Sequence, residues 1–139
     1  KDLFIRCKQV FFNLIIVKFK MMKIQKKLLE INSMDLHPIT LAKYEIDDNN
    51  RVRIFIPKFK NIIFVNLLKK FNRKNYYTVK LDKSGSMVWN NIDGMKTVEE
   101  ICNKVKNEMN INDENFEQKT VKFLYMLYKQ KAISFKEIE

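Results

Sequence analysis

The hydrophobic pattern of this chain changes its period at Asp82. Between residues 44 and 81, apolar residues alternate with polar ones in short runs, whereas after Asp82 they recur with helical spacing. Alternation is typical of strands that bury one face, and a spacing of three or four residues is typical of amphipathic helices. Since 139 residues suit a single domain, the pattern predicts an α+β fold in which strands come first and helices follow.

Three strands are predicted in the first part of the chain. Alternating residues at 44–46 and 52–56 flank the sequence Asp-Asp-Asn-Asn, which indicates a β-hairpin. Pro57 should end the second strand because proline has no N–H to give to a sheet. Residues 58–75 predict a short amphipathic helix with a basic face. The alternation resumes at Tyr77–Leu81, which is the predicted third strand.

Capping signals place the starts of the helices. Asp82 can cap the first helix, and Thr97 with Glu100 three residues later predicts a capping box for the second. The third helix is predicted from about Asp113 to Lys131, and a short β-like tail follows it. The sequence therefore predicts a winged helix-turn-helix-like domain of the α+β class. It has a three-stranded antiparallel sheet followed by three helices, with an inserted short helix before the third strand.

We expect two parts in the chain. Residues 1–40 are predicted to be an N-terminal extension and lead-in segment, and residues 41–139 the folded domain. The extension contains the apolar run VFFNLIIVKF, which is well below the roughly 20 residues that a membrane helix needs. Because Met21-Met22 resembles a natural start, residues 1–20 are interpreted as an upstream extension. An extra packed element and a membrane-surface segment are the alternatives.

The residues needed for catalysis or metal binding are sparse in this sequence. The chain has one histidine, His37, and its cysteines, Cys7 and Cys102, form no CxxC pair, whereas metal sites need clustered ligands. The sequence KSGSM around Gly85 is not a nucleophile elbow. We therefore expect no enzyme activity, no metal and no organic cofactor. The cysteine usage favours a reducing, cytoplasmic location without a disulfide.

The positive charge of the chain lies away from its last two helices. The net charge is +11, but residues 1–92 carry 19 Lys and Arg against 7 Asp and Glu, while residues 93–139 carry 8 against 9. A winged helix that reads DNA needs positive charge around the helix that enters the major groove. Nucleic-acid binding is therefore kept as an alternative function, beside a structural adaptor docked to an enzyme. The basic segment at 51–83 would attract an acidic peptide, a partner enzyme or a phosphate backbone.

The order of the motifs in the second half resembles a known family. The runs VKLDKSGSMVWNNIDGMKTVEEICNKV and VKFLYMLYKQKAISF resemble the PqqD-like family, which comprises coenzyme PQQ synthesis protein D and the RiPP recognition elements. The resemblance covers residues from about 41 to 135. The family usually ends its last helix with glycine, whereas this chain has Lys131-Ala132.

The resemblance implies a non-catalytic peptide chaperone. Members of this family bind the leader of a ribosomally made precursor peptide and present it to a modifying enzyme, such as a radical SAM enzyme, in natural product biosynthesis. The leader adds as a strand beside the third strand of the sheet and rests on the last helix, a mode in which an open strand edge supplies the hydrogen bonds. The implied peptide-binding residues here are Tyr77, Thr78, Val79, Lys80 and Leu81 on the strand, and Val121, Tyr125 and Tyr128 on the helix. Alternatively, this helix stripe packs on the lead-in segment or on another copy of the chain, which would make a homodimer.

Overall fold

The structure, a computed structural model, describes residues 32–58 and 74–139, together with residues 19, 22, 66 and 69–71. The predicted extension and most of the predicted inserted helix lie outside these residues. The described strands are β1 (Pro38–Thr40), β2 (Lys43–Ile46), β3 (Val52–Pro57), β4 (Tyr76–Lys80) and β5 (Ile133–Phe135), and the described helices of more than one turn are α1 (Lys83–Asn90), α2 (Val98–Met109) and α3 (Phe116–Lys129). Single turns of 3₁₀ helix lie at Ser33–Asp35 and Lys136–Ile138.

The predicted α+β class is confirmed. Strands β2, β3 and β4 form an antiparallel sheet in that order, and α1, α2 and α3 follow it along the chain. In the hairpin turn, Asp47 Oδ1 accepts hydrogen bonds from the N–H groups of Asn49 and Arg51. Asn50 has a left-handed φ of 59°, which asparagine tolerates better than most residues. The Asn/Asp-rich run thus fixes the turn that it predicted.

The core lies between one face of this sheet and the helices. Val52, Ile54 and Ile56 are 0–2% exposed and share that face, because side chains two residues apart on a strand point to the same side. The helices contribute buried residues to the same cluster, among them Val88, Trp89, Val98, Ile101, Val105, Leu124 and Leu127. The alternating pattern of the strands and the helical pattern after them therefore meet in one core.

Two hydrogen bonds attach the first helix and the end of β4 to β3. The Leu81 N–H donates to the Val52 C=O at 2.9 Å, and the buried Val52 N–H donates to Ser86 Oγ at 2.9 Å. Between them, Asp82 caps α1 by accepting from the Gly85 N–H at 2.7 Å, which confirms the predicted cap. The end of β4 and the start of α1 are therefore held at a single residue of β3.

The start of α2 is stabilised by the turn before it. The side chain and the N–H of Lys96 and the N–H of Met95 donate to the Asp93 carboxylate, and these bonds hold the pKa of Asp93 well below its usual value. The predicted capping box is confirmed: the Thr97 N–H donates to Glu100 Oε2 at 2.8 Å, and the Glu100 N–H donates to Thr97 Oγ1 at 3.2 Å. The direction of α2 is thus set by local interactions.

A second, two-stranded sheet joins β1 to β5. These strands are antiparallel, with Ile39 opposite Ser134, so the predicted β-like tail is confirmed as β5. Residues 38–40, placed in the lead-in segment by sequence, form its partner. Gly94 packs against this sheet with φ 74°, and a Cβ there would lie 2.8 Å from Ile39 Cγ2. Glycine therefore suits this turn both for its backbone conformation and for the close approach.

α3 ends in a Schellman motif with a lysine in the place of glycine. Lys131 has a left-handed φ of 60°, its N–H donates to the Tyr128 C=O, and the Ala132 N–H donates to the Leu127 C=O, both at 2.9 Å. This pair of bonds is the one that usually accompanies a glycine at the end of a helix. The helix end keeps the geometry of the motif, and Lys131 adopts a left-handed conformation that residues with a side chain disfavour.

Replacing Ser86 with alanine should destabilise the fold. The Val52 N–H would stay buried without an acceptor, which costs about 1–3 kcal/mol. Chemical denaturation should show a lower midpoint with an unchanged slope. Ser84→Ala is the control, since Ser84 Oγ bonds only the exposed Asp82 carboxylate in the described structure and should change the free energy of unfolding little. Equal effects of the two substitutions would contradict the attachment at Val52.

Replacing Lys131 with glycine should stabilise the fold. A left-handed conformation costs a side-chain-bearing residue about 1–2 kcal/mol, and glycine returns about 0.5–1 kcal/mol of this through its greater freedom when unfolded. The free energy of unfolding should therefore rise by roughly 0.5–1 kcal/mol. Asn110→Gly, at a φ of 50°, should gain less because asparagine tolerates this region. A loss of stability in Lys131→Gly would contradict the claim that the left-handed conformation of Lys131 lowers the free energy of unfolding.

Candidate functional site

One edge of the three-stranded sheet is formed by β4. It pairs with β3 alone among the described strands, in a register that sets Thr78 opposite Phe55 and Val79 opposite Ile54. Two hydrogen bonds flank this ladder, from the Leu81 N–H to the Val52 C=O and from the Lys58 N–H to the Asn75 C=O. They give the phase of the ladder, which is the order in which hydrogen-bonded and non-hydrogen-bonded pairs alternate.

The phase determines which backbone groups of β4 are free to bind a ligand. Because hydrogen-bonded and non-hydrogen-bonded pairs alternate in an antiparallel ladder, Tyr77 and Val79 direct their N–H and C=O groups toward β3. The groups of Tyr76, Thr78 and Lys80 therefore point to the open edge. An extended peptide would meet three residues with donors and acceptors in a row.

The side chains of β4 leave part of the helix-facing side accessible. Tyr77 and Val79 lie opposite the buried Ile56 and Ile54, so they share the face that carries the core. Tyr77 is nevertheless 40% exposed and Val79 is half-buried. On the other face, the Tyr76 ring meets the Phe55 ring edge-on, with 5.2 Å between the ring centroids. The predicted strand residues therefore offer both free backbone groups and apolar area, and Leu81 at their end is buried.

A cleft of about 400 Å³ opens beside the end of β4. It lies between α1, α3 and the segment that precedes α3, and its lining is mixed. The residues that line it are Asp82, Ser84, Gly85, Val88, Ile111, Asp113, Phe116, Lys119, Thr120 and Phe123. Among its apolar members, Val88 and Phe116 belong to the core, and Ile111 and Phe123 pack against it. This cleft could therefore hold an apolar side chain beside polar groups.

Gly85 lies beside the Asp82 side chain that caps α1 and near the Phe123 ring of α3. A Cβ on Gly85 would lie 2.9 Å from Asp82 Oδ1, 3.5 Å from Leu81 Cβ and 3.5 Å from Phe123 Cζ. The first distance is shorter than real Cβ contacts, so a side chain here would disturb the cap of α1. The Phe123 ring lies at ordinary van der Waals distance from this position, so Gly85 is needed for the cap and not for the approach of α3.

The charges at the cleft are mostly paired. Lys119 Nζ donates to Asp113 Oδ2 at 2.5 Å, and the Asn115 N–H donates to Asp113 Oδ1 at 2.9 Å. The hydrogen bond from Lys119, followed by that from the Asn115 backbone, lowers the pKa of Asp113. Asp113 is therefore ionised at neutral pH and its charge is balanced by Lys119, which leaves apolar contact as the main attraction for a ligand.

The two flanks of α3 face different neighbours. Phe123 lies against Gly85 at the cleft, whereas the Tyr128 ring packs on Phe135 of β5 at 5.6 Å between centroids. At 100° per residue these side chains are about 140° apart around the helix. Val121 and Tyr125 lie on the Tyr128 flank, and the ammonium group of Lys129 stands 5.5 Å from the Tyr125 ring centroid. The predicted stripe of Val121, Tyr125 and Tyr128 stays a prediction, and Phe123 is the residue that the structure adds.

The contacts of His37 and the burial of Cys102 are those of residues that stabilise a fold. His37 Nδ1 lies 2.5 Å from Glu137 Oε1, and the His37 N–H donates to the same carboxylate. Burial disfavours the ionised Glu137, but these hydrogen bonds lower its pKa overall. Cys102 is buried in the core, and burial raises the pKa of its thiol. Within the described part of the chain, no three His, Cys, Asp or Glu residues are grouped as metal ligands would be.

Each described helix is too short or too polar to span a lipid bilayer.

Comparison with known proteins matches part of the chain to one family model. No curated protein and no solved structure matches the chain. Residues 71–133 match the family model described as Coenzyme PQQ synthesis protein D (PqqD), a segment that includes β4, all three helices and the cleft but not the β2–β3 hairpin. The resemblance predicted from the sequence is thereby confirmed over residues 71–133, so this segment of the chain is similar to PqqD.

Proposed function

We propose that this protein is a non-catalytic peptide chaperone of ribosomal natural product biosynthesis. It binds the leader of a precursor peptide by strand addition to β4 and presents it to a modifying enzyme, for which a radical SAM enzyme is one candidate. The proposal includes a winged helix-turn-helix-like arrangement of the sheet and helices and a cytoplasmic location. The family match and the open edge of β4 support it.

The observation that carries the proposal is the phase of the β4 edge. Tyr76, Thr78 and Lys80 point their backbone groups outward, and the chain after β4 leads to the cleft that Phe123 and polar residues line. Backbone hydrogen bonds provide affinity for any extended peptide, while neighbouring pockets provide selectivity. The proposed site comprises Tyr77, Thr78, Val79, Lys80 and Leu81 on the strand side, and Val121, Tyr125 and Tyr128 with Phe123 on α3.

Nucleic-acid binding is less well supported by the charges on α2. This helix begins with Glu99 and Glu100, and Lys104 is 3.8 Å from Glu108 in an ion pair. A helix that enters the major groove would face phosphates with these carboxylates exposed. The carboxylates of α2 would not repel a peptide bound at β4, because α2 does not form that edge of the sheet.

Proline substitutions on β4 test the strand addition. Thr78→Pro removes a donor that points to the open edge and should weaken leader binding by about tenfold, the scale of one lost hydrogen bond with some steric conflict. Val79→Pro removes a donor to β3, so it should lower the free energy of unfolding instead. The measurement is calorimetric titration with a synthetic leader peptide, beside denaturation of each variant. A folded Thr78→Pro variant that binds like the parent would refute strand addition at this edge.

Substitutions on α3 test which flank receives the side chains of the leader. Tyr125→Asp puts a charge on a surface that is 52% exposed, so it should fold, and it should cost about 1–3 kcal/mol of binding free energy if the leader lies there. Phe123→Ala removes a ring from the cleft. Because Phe123 adjoins the end of β4, we expect Phe123→Ala to weaken binding more than Tyr125→Asp. Parental binding by both folded variants would remove α3 from the site.

A further inference from the structure

The outer edge of β2 is the second open edge of the three-stranded sheet. In the described part of the chain, β2 pairs only with β3. Beyond its end, the Asp47 N–H donates to the Arg51 C=O at 2.9 Å. Counting from that pair, the alternation of an antiparallel ladder directs the backbone groups of Tyr44 and Ile46 away from β3. Within the described part of the chain, the N–H and C=O groups of both residues therefore have no strand partner.

The same two residues expose apolar side chains. Tyr44 and Ile46 lie opposite Ile54 and Val52, on the face that carries the core, yet they are 49% and 52% exposed. The Tyr44 ring meets Trp89 edge-on at 5.6 Å between centroids, so the described helices cover these two side chains only in part. Proteins normally cover or charge an edge with this combination of unpaired backbone and apolar surface.

We propose that this edge pairs with β2 of a second copy of the chain. The two strands run antiparallel about a two-fold axis at Tyr44, and the sheets join into one sheet of six strands. An isologous contact of this kind needs a self-complementary surface. The Tyr44 and Ile46 side chains, which are about half exposed, would then lie near those of the other copy.

The charges on β2 favour this partner and this register. With Tyr44 opposite Tyr44 of the second copy, Lys43 faces Glu45 of the second copy, and symmetry repeats the pair. A two-fold axis at Glu45 would set two carboxylates opposite each other, and an axis at Ile46 would set Glu45 opposite Asp47. Opposite charges across strands are favourable and like charges are unfavourable. In this register Lys43, Tyr44 and Glu45 are complementary to themselves. Ile46 falls opposite Ala42, whose N–H already donates to the Ala132 C=O at 3.0 Å, so the two copies would exchange their backbone hydrogen bonds at Tyr44.

The dimer does not depend on the proposed peptide function. It uses β2, whereas the peptide edge is β4 at the other side of the same sheet, so both β4 edges stay open. A contact between two four-residue strands is smaller than a standard stable interface. We therefore expect a dimer that dissociates on dilution.

Sedimentation equilibrium of the full chain, without peptide, tests this inference. The parent should show a concentration-dependent monomer–dimer equilibrium. Lys43→Glu and Glu45→Lys should each weaken the dimer by about tenfold, because each replaces the two favourable pairs across the axis with two repulsive ones. Glu45→Lys also removes the ion pair that Glu45 makes with Arg53 of its own chain. An equimolar mixture of the two variants should recover the dimer, since the carboxylate introduced at position 43 of one chain would face the ammonium group introduced at position 45 of the other. Circular dichroism of each variant checks that the fold is retained.

Three outcomes would overturn the inference. The first is a monomer at every concentration. The second is a dimer that neither substitution weakens, or that the mixture does not recover. The third is a monomer in which the Tyr44 and Ile46 amides are protected from hydrogen exchange, which would mean that another part of the same chain covers the edge.

Discussion

The backbone of Val52 is the point on which the proposed site depends. Its C=O accepts from Leu81 at the end of β4, and its N–H donates to Ser86 at the start of α1. Both groups are buried, so neither bond can be exchanged for water without cost. The two bonds fix where β4 stops, which sets the phase of its open edge, and where α1 starts, which sets the position of the cleft. Phe123 of α3 lines the same cleft beside Gly85.

Local features could be predicted from the sequence, because a few neighbouring residues determine them. The Asn/Asp turn, the Asp82 cap and the Thr97–Glu100 capping box each satisfy backbone groups within four residues, so their residue types reveal them. The strands of the three-stranded sheet were also predictable, since alternation marks a buried face. β1 was not, because it has three residues and its partner, β5, lies at the other end of the domain.

The site itself was only partly predictable. The open edge at β4 followed from the family resemblance, but its phase needed the register against β3, which no periodicity contains. Which flank of α3 lies at the site was harder still to predict. Phe123 and Tyr125 are aromatic residues on either side of the buried stripe. Helical periodicity identifies the buried stripe, but it does not show which neighbouring residues face the cleft. Only the contacts of Gly85 with Phe123 and of Phe135 with Tyr128 distinguish the two flanks.

Residue-resolved hydrogen exchange with and without a leader peptide tests the central claim most directly. Tyr77 and Val79 donate toward β3, so their amides should be protected already in the free protein, and the peptide should change them little. Thr78 and Lys80 donate to the open edge, so their amides should exchange fast when free and slow when the peptide is bound. The account therefore expects new protection at every second residue of β4. A peptide that binds while the Thr78 and Lys80 amides still exchange at their free rates would contradict it.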